Sequence, residues 1–150
     1  LLDLYCGAGT IGLSMIKENQ KLCGVEIVPE AIENAKINAK LNGRREGDTL
    51  FVCGDASLGA DACKKVFGDP DVLVVDPPRK GLSDKVIETL LEIAPKRIVY
   101  ISCNPETLAR DAKFLTKTGV YKAVKAAPVD MFPHTVHVET VCLISKRENI

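Results

Sequence analysis

Two kinds of apolar pattern alternate along the chain. Short runs rich in β-branched residues predict buried strands at Leu1–Cys6, Lys21–Ile27, Thr49–Gly54, Asp71–Asp76 and Arg97–Cys103. The stretches between them predict helices near Thr10–Asn19, Pro29–Asn42, Ser57–Val66, Ser83–Ala94 and Pro105–Thr118. After Gly119 the pattern changes to two strands, Tyr121–Pro128 and Val136–Lys146, joined by Val129–Thr135.

This alternation predicts an α/β fold. Consecutive strand–helix units build a parallel sheet with helices on both faces, and a closing pair of strands without an intervening helix implies one antiparallel strand. We therefore expect a seven-stranded, mostly parallel sheet. With 150 residues, 46% of them hydrophobic, and no linker or repeat, the chain has enough material for one domain with its own core.

Charge and cysteine content narrow the class of protein. Twenty basic residues balance twenty acidic ones, so no strong field draws nucleic acid or a membrane to this domain. The six cysteines include no C-x-x-C pair, and several lie in predicted strands. This predicts reduced core thiols of a cytosolic protein rather than disulfides or zinc ligands. There is no signal peptide and no apolar run of about eighteen residues, so we expect a protein that is neither secreted nor membrane-spanning.

The chain begins inside a predicted strand and without a methionine. A central strand is an unusual natural start. We therefore expect residues 1–150 to be a fragment of a longer protein.

Polar or reactive residues end each of the predicted parallel strands. They are Tyr5-Cys6-Gly7, Glu26, Asp55, Asp76 and Cys103. In open α/β sheets, ligands bind outside the carboxyl ends of the strands. The last strand starts at the same edge and returns, so His137 and Glu139 lie there and, two residues apart in a strand, share a face. The pattern therefore predicts the edge that carries the active site.

A glycine-rich loop follows the first strand. Residues 6–12, with the sequence CGAGTIG, fit G-x-G-x-x-G between a strand and a helix, and Glu26 ends the next strand. Such glycines let the backbone approach a ligand, and the acid can take two hydrogen bonds from ribose hydroxyls. Both dinucleotide sites and S-adenosylmethionine (SAM) sites use this motif.

Three features favour SAM over a nicotinamide cofactor. Asp3 lies inside the first strand, at a position that is usually apolar in nicotinamide folds. Asp55, at the end of the third strand, is suited to an adenine amino group. Asp76-Pro77-Pro78-Arg79 ends the fourth strand, where SAM enzymes place the group that meets the substrate. The alternative for each acid is a solvated loop residue.

A nucleophile is indicated after the fifth strand. The apolar run 97–101 leads to Cys103, which is followed by Asn104, suited to a helix N-cap, and Pro105, suited to the first helical position. The positive end of a helix dipole lowers a thiol pKa from its free value of about 8.5. The alternative is a small buried hydrophobe, the commoner fate of a free cysteine.

Three ordered motifs resemble the RNA uracil-C5 methyltransferases of the TrmA/RumA group. They are Asp76-Pro77-Pro78-Arg79-Lys80-Gly81, Ser102-Cys103-Asn104-Pro105 and Phe132-Pro133-His134-Thr135-x-His137-x-Glu139. The resemblance covers essentially all 150 residues. It implies a class I SAM-dependent methyltransferase (Rossmann-like) fold, SAM as cofactor, and an RNA substrate, either rRNA or tRNA. We expect a cytoplasmic monomer without membrane contact.

The resemblance also implies the roles of individual residues. The family builds its SAM pocket at positions matching Tyr5, Thr10, Glu26, Asp55 and Asp76, and we add Gly7 of the glycine loop to these candidate cofactor-binding residues. Cys103 matches the nucleophile and Glu139 the base. An amino-terminal OB (TRAM-type) RNA-binding module, a connecting insert and an upstream SAM-contacting glutamine of the family are absent from residues 1–150.

Arg79 and His137 are candidate substrate-binding residues. Arg79 is suited to a phosphate or to a developing enolate oxygen, and His137 to orienting Glu139. The alternative for Arg79 is a surface salt bridge, and the alternative for His137 is a side chain that only packs in the fold. A metal site formed by His134, His137 and Glu139 is conceivable, but we expect none.

These residues suit the formation of 5-methyluridine. The loop 5–10 and the motif 132–135 look more like bacterial rRNA members of the family, so we expect 23S rRNA as the target, with tRNA as the alternative. RNA cytosine-C5 enzymes typically carry a second cysteine where this chain has Arg79, and amino-directed methyltransferases carry an aromatic residue there. The non-enzymatic alternative is a SAM-binding fragment, inactive without its RNA-binding module.

Overall fold

The computed structural model of the protein describes residues 1–147, and its elements follow the predicted order. The strands are β1 (Leu2–Leu4), β2 (Leu22–Glu26), β3 (Thr49–Cys53), β4 (Val72–Val75), β5 (Arg97–Ser102), β6 (Tyr121–Val129) and β7 (Glu139–Lys146). The helices are α1 (Thr10–Met15), α2 (Pro29–Leu41), α3 (Ala56–Phe67), α4 (Asp84–Ile93) and α5 (Pro105–Lys117). Within the described residues, no helix is both long enough and apolar enough to cross a membrane.

The strands of residues 1–147 form one seven-stranded sheet in the order β3-β2-β1-β4-β5-β7-β6. The β1–β2 and β2–β3 pairs are parallel, whereas β7 runs antiparallel to both of its neighbours, β5 and β6. The fold class predicted from the sequence is therefore confirmed. Within residues 1–147, β6 ends the strand order and pairs only with β7, with an irregularity in the register between Ala123 and Lys125.

The chain divides into two compact units, Leu1–Val74 and the residues from Val75 on. In the first unit, the buried face of α2 supplies Ile32, Ala35 and Ala39. These residues recur at helical spacing and pack with Leu22 of β2 and Phe51 of β3. Apolar periodicity in the sequence therefore becomes the contact between helix and sheet.

In the second unit, β5 alternates between buried and less buried residues, as a strand with one covered face does. Ile98 and Tyr100 of β5 and Ile144 of β7 are fully buried. Tyr121, at the start of β6, is also buried, and its hydroxyl donates a hydrogen bond to the carbonyl of Pro95 (2.8 Å). This burial raises the pKa of Tyr121 to about 12.

Two predicted boundaries are wrong. β7 begins at Glu139 rather than at Val136. The reason is that β6 ends at Val129, which pairs with Glu139, so the residues just before Glu139 have no partner on β6. α1 ends at Met15 rather than near Asn19, which has a left-handed φ of 64°.

The prediction that the cysteines are all reduced is also wrong. Cys23 of β2 and Cys63 of α3 form a disulfide with their Cα atoms 5.8 Å apart, although 40 positions separate them in sequence. Only the packing of α3 on β2 brings these two residues together, so their spacing carries no signal. Cys6, Cys53, Cys103 and Cys142 are free thiols.

Candidate active site

The loop after β1 is shaped by left-handed backbone conformations. Tyr5, Gly7 and Gly9 have φ values of 67°, 52° and 79°. The backbone N–H of Cys6 donates to the carbonyl of Val25 on β2 (3.0 Å), so the chain stays bonded to the sheet as far as Cys6. A left-handed tyrosine is unusual, and such backbone strain is found mostly where a loop is shaped for function.

Asp3 holds the start of α1 against β1. Its side chain is buried, and its Oδ2 accepts the backbone N–H of Gly12 (2.9 Å). A Cβ atom on Gly12 would lie 2.8 Å from that oxygen and 2.7 Å from Leu22 Cδ1. The third glycine of the motif therefore permits the close approach of helix and strand.

Glu26, at the end of β2, accepts hydrogen bonds from three backbone N–H groups. Its Oε2 takes the N–H of Gly7 (3.1 Å), and its Oε1 takes those of Ile27 (2.8 Å) and Val28 (3.0 Å). A carboxylate has about four acceptor positions, so one remains on Oε2. The carboxylate is therefore fixed beside the glycine loop, with capacity for one hydroxyl donor where the sequence suggested two.

Asp55 and Thr10 begin two helices. Asp55 is the N-cap of α3, and its Oδ1 accepts the backbone N–H of Ser57 (3.0 Å) and the hydroxyl of the same residue. Thr10 is the exposed first residue of α1. Asp55 follows the carboxyl end of β3, and Thr10 begins α1 after the glycine loop, as the sequence predicts for the positions of these two residues.

Cys6 shows what a structural cysteine is like in this fold. Its side chain is buried in the core of the first unit. Burial, followed by the charges of Asp3 and Glu26, raises its pKa to about 12. A thiol with this pKa stays protonated at neutral pH and is a poor nucleophile.

Cys103 has a different setting in the second unit. It directly follows β5, is partly exposed, and is flanked by Ser102 and Asn104. The Ser102 hydroxyl donates to the Asn104 carbonyl (2.9 Å) and accepts the Asn104 N–H (3.0 Å), which fixes the turn around the cysteine. Asn104 caps α5 as predicted, because its Oδ1 accepts the N–H of Glu106 (3.1 Å), and Pro105 is the first helical residue.

Asp76 and Glu139 act on each other electrostatically. Asp76 follows β4 and is half-buried, and Glu139 is the first residue of β7. Burial, and then the charge of Glu139, raise the pKa of Asp76 above its usual value. The structure thus brings together two carboxylates that the sequence assigns to cofactor binding and to proton removal.

Arg79 and His137 form a direct pair. The Arg79 Nη2 lies 3.0 Å from His137 Nδ1. A guanidinium can only donate, so Nδ1 accepts and the ring proton of a neutral His137 lies on Nε2. The prediction that His137 and Glu139 share a strand face is wrong, since His137 precedes β7 and its N–H bonds to the Thr135 hydroxyl (3.2 Å).

Sequence reasoning missed that α5 also holds the loop bearing Arg79. The Asn104 Nδ2 and the Thr107 hydroxyl both donate to the Arg79 carbonyl, each at 3.2 Å. Their spacing of three residues, which places two polar side chains on one face of a helix, is the signal that could have indicated a partner.

The structure has the fold of the class I SAM-dependent methyltransferases, with the strand order given above and a glycine loop after β1. The structure is similar to that of ribosomal protein L11 methylase from Lactobacillus delbrueckii subsp. bulgaricus, with a TM-score of 0.65 at 12% identity, covering 97% of this chain and 69% of that one. At that identity the likeness concerns the fold alone.

The sequence narrows the class further. The family model described as tRNA (uracil-5-)-methyltransferase matches residues 59–147, and that of the methyltransferase small domain matches residues 1–100. The chain belongs to the tRNA (uracil-5-)-methyltransferase family, and the predicted resemblance to RNA uracil-C5 methyltransferases is confirmed.

Two similar proteins are considerably longer than this chain. An uncharacterized RNA methyltransferase of Bacillus cereus is 49% identical over 148 residues, which are 99% of this chain and 32% of the relative. The tRNA (uracil-54, C5)-methyltransferase of Pyrococcus abyssi, solved with S-adenosyl-L-homocysteine, is 37% identical with a TM-score of 0.77, covering 95% of this chain and 33% of that one. The chain thus spans about a third of the length of these relatives.

Proposed function

We propose that this chain is the catalytic domain of a SAM-dependent RNA methyltransferase that forms 5-methyluridine. The observation that carries the proposal is the setting of Cys103, a partly exposed thiol at a strand end, in a turn fixed by Ser102 and directly before the capped start of α5. A thiol at a helix start is placed for nucleophilic attack. The buried Cys6 of the same chain has no such setting.

The first unit suits SAM. Its loop of left-handed residues lies against the fixed carboxylate of Glu26, which keeps an acceptor position for a ribose hydroxyl. Tyr5, Gly7 and Thr10 would hold the cofactor from the loop, and Asp55 from the end of β3. Asp76, which follows β4, is the further residue that we assign to the cofactor.

The reaction divides between Cys103 and Glu139. The Cys103 thiolate adds to C6 of the uracil, the electron pair of the C5–C6 double bond moves toward the C4 carbonyl, and C5 becomes nucleophilic. When bound, SAM supplies an electrophilic methyl group for C5. Glu139 then removes the proton from C5, and the returning electron pair re-forms the double bond as the Cys103 thiolate leaves.

The pair of Asp76 and Glu139 favours this assignment of the base. Burial, and then the charge of Glu139, raise the pKa of Asp76, so Glu139 acts on the half-buried carboxylate that we assign to the cofactor. Groups perturbed in this way cluster at sites of chemistry rather than at structural positions. Arg79, donating to His137, would contact the RNA or the enolate oxygen from the same unit.

The RNA target is a separate part of the proposal. We expect 23S rRNA, and tRNA is the alternative, which the likeness to the Pyrococcus abyssi tRNA enzyme favours. With equal numbers of basic and acidic residues, this domain has little charge for holding RNA, so an OB-type module outside residues 1–150 would provide most of the affinity. The target uridine must be unpaired or flipped out of its stack. We expect a cytoplasmic monomer.

A trapping experiment tests the function. RNA carrying 5-fluorouridine is incubated with SAM and the protein in its full natural length, and the products are examined by denaturing gel and intact mass. Fluorine cannot leave C5 as a proton does, so a uracil-C5 enzyme stays bound through its cysteine. We expect a methylated covalent adduct that disappears in Cys103→Ala and persists in the matched variant Cys53→Ala, which removes another exposed thiol.

The outcomes separate the alternatives. An adduct retained in Cys103→Ala would assign the nucleophile to another residue. No adduct with 5-fluorouridine, in a protein that binds both SAM and RNA, would contradict uracil-C5 chemistry. An adduct with 5-azacytidine RNA instead would indicate cytosine-C5 methylation.

A further inference from the structure

The loop after Asp76 makes a turn that presents two basic side chains. The backbone N–H of Gly81 bonds to the carbonyl of Pro78 (2.8 Å), which closes the turn around Arg79 and Lys80. Both of these side chains are exposed. The turn has no regular structure of its own, so something else must fix its position.

One face of α5 bonds to the backbone of this turn. Besides the bonds from Asn104 and Thr107 to Arg79, the Arg110 Nη2 donates to the carbonyls of Lys80 (2.9 Å) and Leu82 (3.3 Å). Because these bonds reach the backbone, they define where the turn lies regardless of its side chains.

Asp111 completes this contact from inside the unit. It is fully buried, and its Oδ2 accepts the N–H of Leu82 (2.8 Å) and the hydroxyl of Tyr100 (2.7 Å). Its Oδ1 accepts Nε of Arg110 (2.8 Å). A buried carboxylate is costly unless its oxygens are bonded, and here strand, turn and helix each supply a donor.

The glycine of the motif is explained by the same carboxylate. Gly81 has a φ of 77°, and a Cβ atom there would lie 2.5 Å from Asp111 Oδ2 and 2.7 Å from Arg110 Nη2. Any side chain at this position would push the turn away from α5.

The helix face that holds the turn begins at the candidate nucleophile. Asn104, Thr107 and Asp111 recur at helical spacing, and Asn104 directly follows Cys103. A displacement of about 1 Å between reacting groups can lower a rate about a hundredfold, so the relative position of turn and nucleophile matters.

We propose that Asp111 is a positioning residue, which fixes the turn bearing Arg79 relative to the turn bearing Cys103. This inference rests on the proposed function, because it gives Asp111 a part in the reaction only through Arg79 and Cys103. Arg110 assists from the same helix.

The test compares Asp111→Asn with Asp61→Asn, a matched change at an exposed aspartate of α3. In full-length protein we expect Asp111→Asn to slow formation of the 5-fluorouridine adduct by about ten- to a hundredfold. SAM affinity stays within about twofold, since the bonds described for Asp111 go to Leu82, Tyr100 and Arg110, none of which is assigned to the cofactor. Hydrogen exchange at the Leu82 amide rises, while that within α4 does not. Asp61→Asn changes none of these.

A double-mutant cycle separates positioning from general stability. If Asp111 acts through the turn, Arg79→Ala lowers the rate of adduct formation by a much smaller factor in the Asp111→Asn background than in the natural protein. Equal costs in both backgrounds would mean that Asp111 is only structural, and an unchanged rate in either single variant would also overturn the proposal. If Asp111→Asn does not fold, Arg110→Gln, at a partly exposed residue, replaces it in the same comparison with the same outcomes.

The failure of this inference can be told from failure of the proposed function. If the natural protein forms no adduct, the proposed function fails, and the exchange measurement still decides whether Asp111 holds the turn. If the natural protein forms the adduct and Asp111→Asn forms it equally fast, only the positioning role fails.

Discussion

In the unit Leu1–Val74, the carboxylates of Asp3, Glu26 and Asp55 all accept backbone N–H groups. In the unit from Val75 on, Asp76 and Glu139 instead place two negative charges where they repel each other. The first arrangement satisfies donors that folding would otherwise leave unpaired. The second costs stability, which is how side chains kept for chemistry behave. Removing the charge of Asp76 should therefore change stability in the opposite direction from removing an acid of the first unit that accepts backbone N–H groups.

The largest effect is expected at Glu139 of the second unit. Glu139→Gln should lower turnover by about 10²- to 10⁴-fold, because no base removes the C5 proton, while the methylated protein–RNA adduct accumulates. Intact mass and single-turnover kinetics measure both. Glu88→Gln, at an exposed position on α4, is the control. Normal turnover in Glu139→Gln would assign the base elsewhere.

Glu26 of the first unit should affect binding rather than chemistry. Glu26→Ala should weaken SAM by about 1–3 kcal/mol, the cost of leaving hydrogen-bonding partners without an acceptor, and should loosen the loop at Gly7. Calorimetric titration with SAM measures the affinity, with Glu18→Ala, at an exposed residue, as control. Unchanged affinity would remove Glu26 from the cofactor site.

Asp55 allows its structural and binding roles to be separated. Asp55→Ala should lower the free energy of unfolding by about 1 kcal/mol through loss of the α3 cap, whereas Asp55→Ser keeps a capping hydroxyl and most of that stability. Urea denaturation measures this difference. If the carboxylate contacts the cofactor, SAM affinity falls in both variants; if affinity is kept in Asp55→Ser, the residue is only a cap.

Removing the charge of Asp76 should raise the free energy of unfolding, whereas removing that of Asp55 lowers it. Its pKa is raised in the folded protein, so the fold favours the protonated carboxyl over the charged one. The stability that protonation contributes is therefore complete below the ordinary pKa of 3.8 and is lost as the pH rises through the pKa of the folded protein. At pH 7, Asp76→Asn should therefore raise the free energy of unfolding, by less than about 1 kcal/mol because the group is half-exposed and screened.

Urea denaturation at pH 7 and near pH 4 provides the measurement for Asp76. The gain should shrink at the lower pH, and it should also shrink when Glu139→Gln removes the second cause of the shift. A loss of stability at pH 7 would show that Asp76, like Glu26, accepts bonds that the fold needs.

The elements that the sequence predicted well are those set by local chemistry. Asn104 and Pro105 begin α5 because an amide oxygen can accept a helical N–H and proline needs no donor at that position. The ends of β2 at Glu26, of β3 shortly before Asp55 and of β4 directly before Asp76 were likewise predictable, since each apolar run stops near a charged residue.

The contacts that the sequence did not predict join residues that are distant in sequence. The Cys23–Cys63 disulfide, the Arg79–His137 pair and the bond from Asp111 to Leu82 join positions 40, 58 and 29 apart. No periodicity within one element reports such a contact. The start of β7 was missed for a related reason, because the end of its partner β6 decides where pairing can begin.

The outermost strand β6 has a consequence for the behaviour of the protein at high concentration. An edge strand offers unpaired backbone groups to any other strand that approaches, which is a common route to aggregation. Here Lys122 and Lys125 are exposed on that strand, Pro128 lacks an N–H, and the register is interrupted between Ala123 and Lys125. Charge, a missing donor and a bulge each disfavour the addition of another strand. The sheet therefore carries its own protection against edge-to-edge assembly, on a strand to which no part of the reaction is assigned.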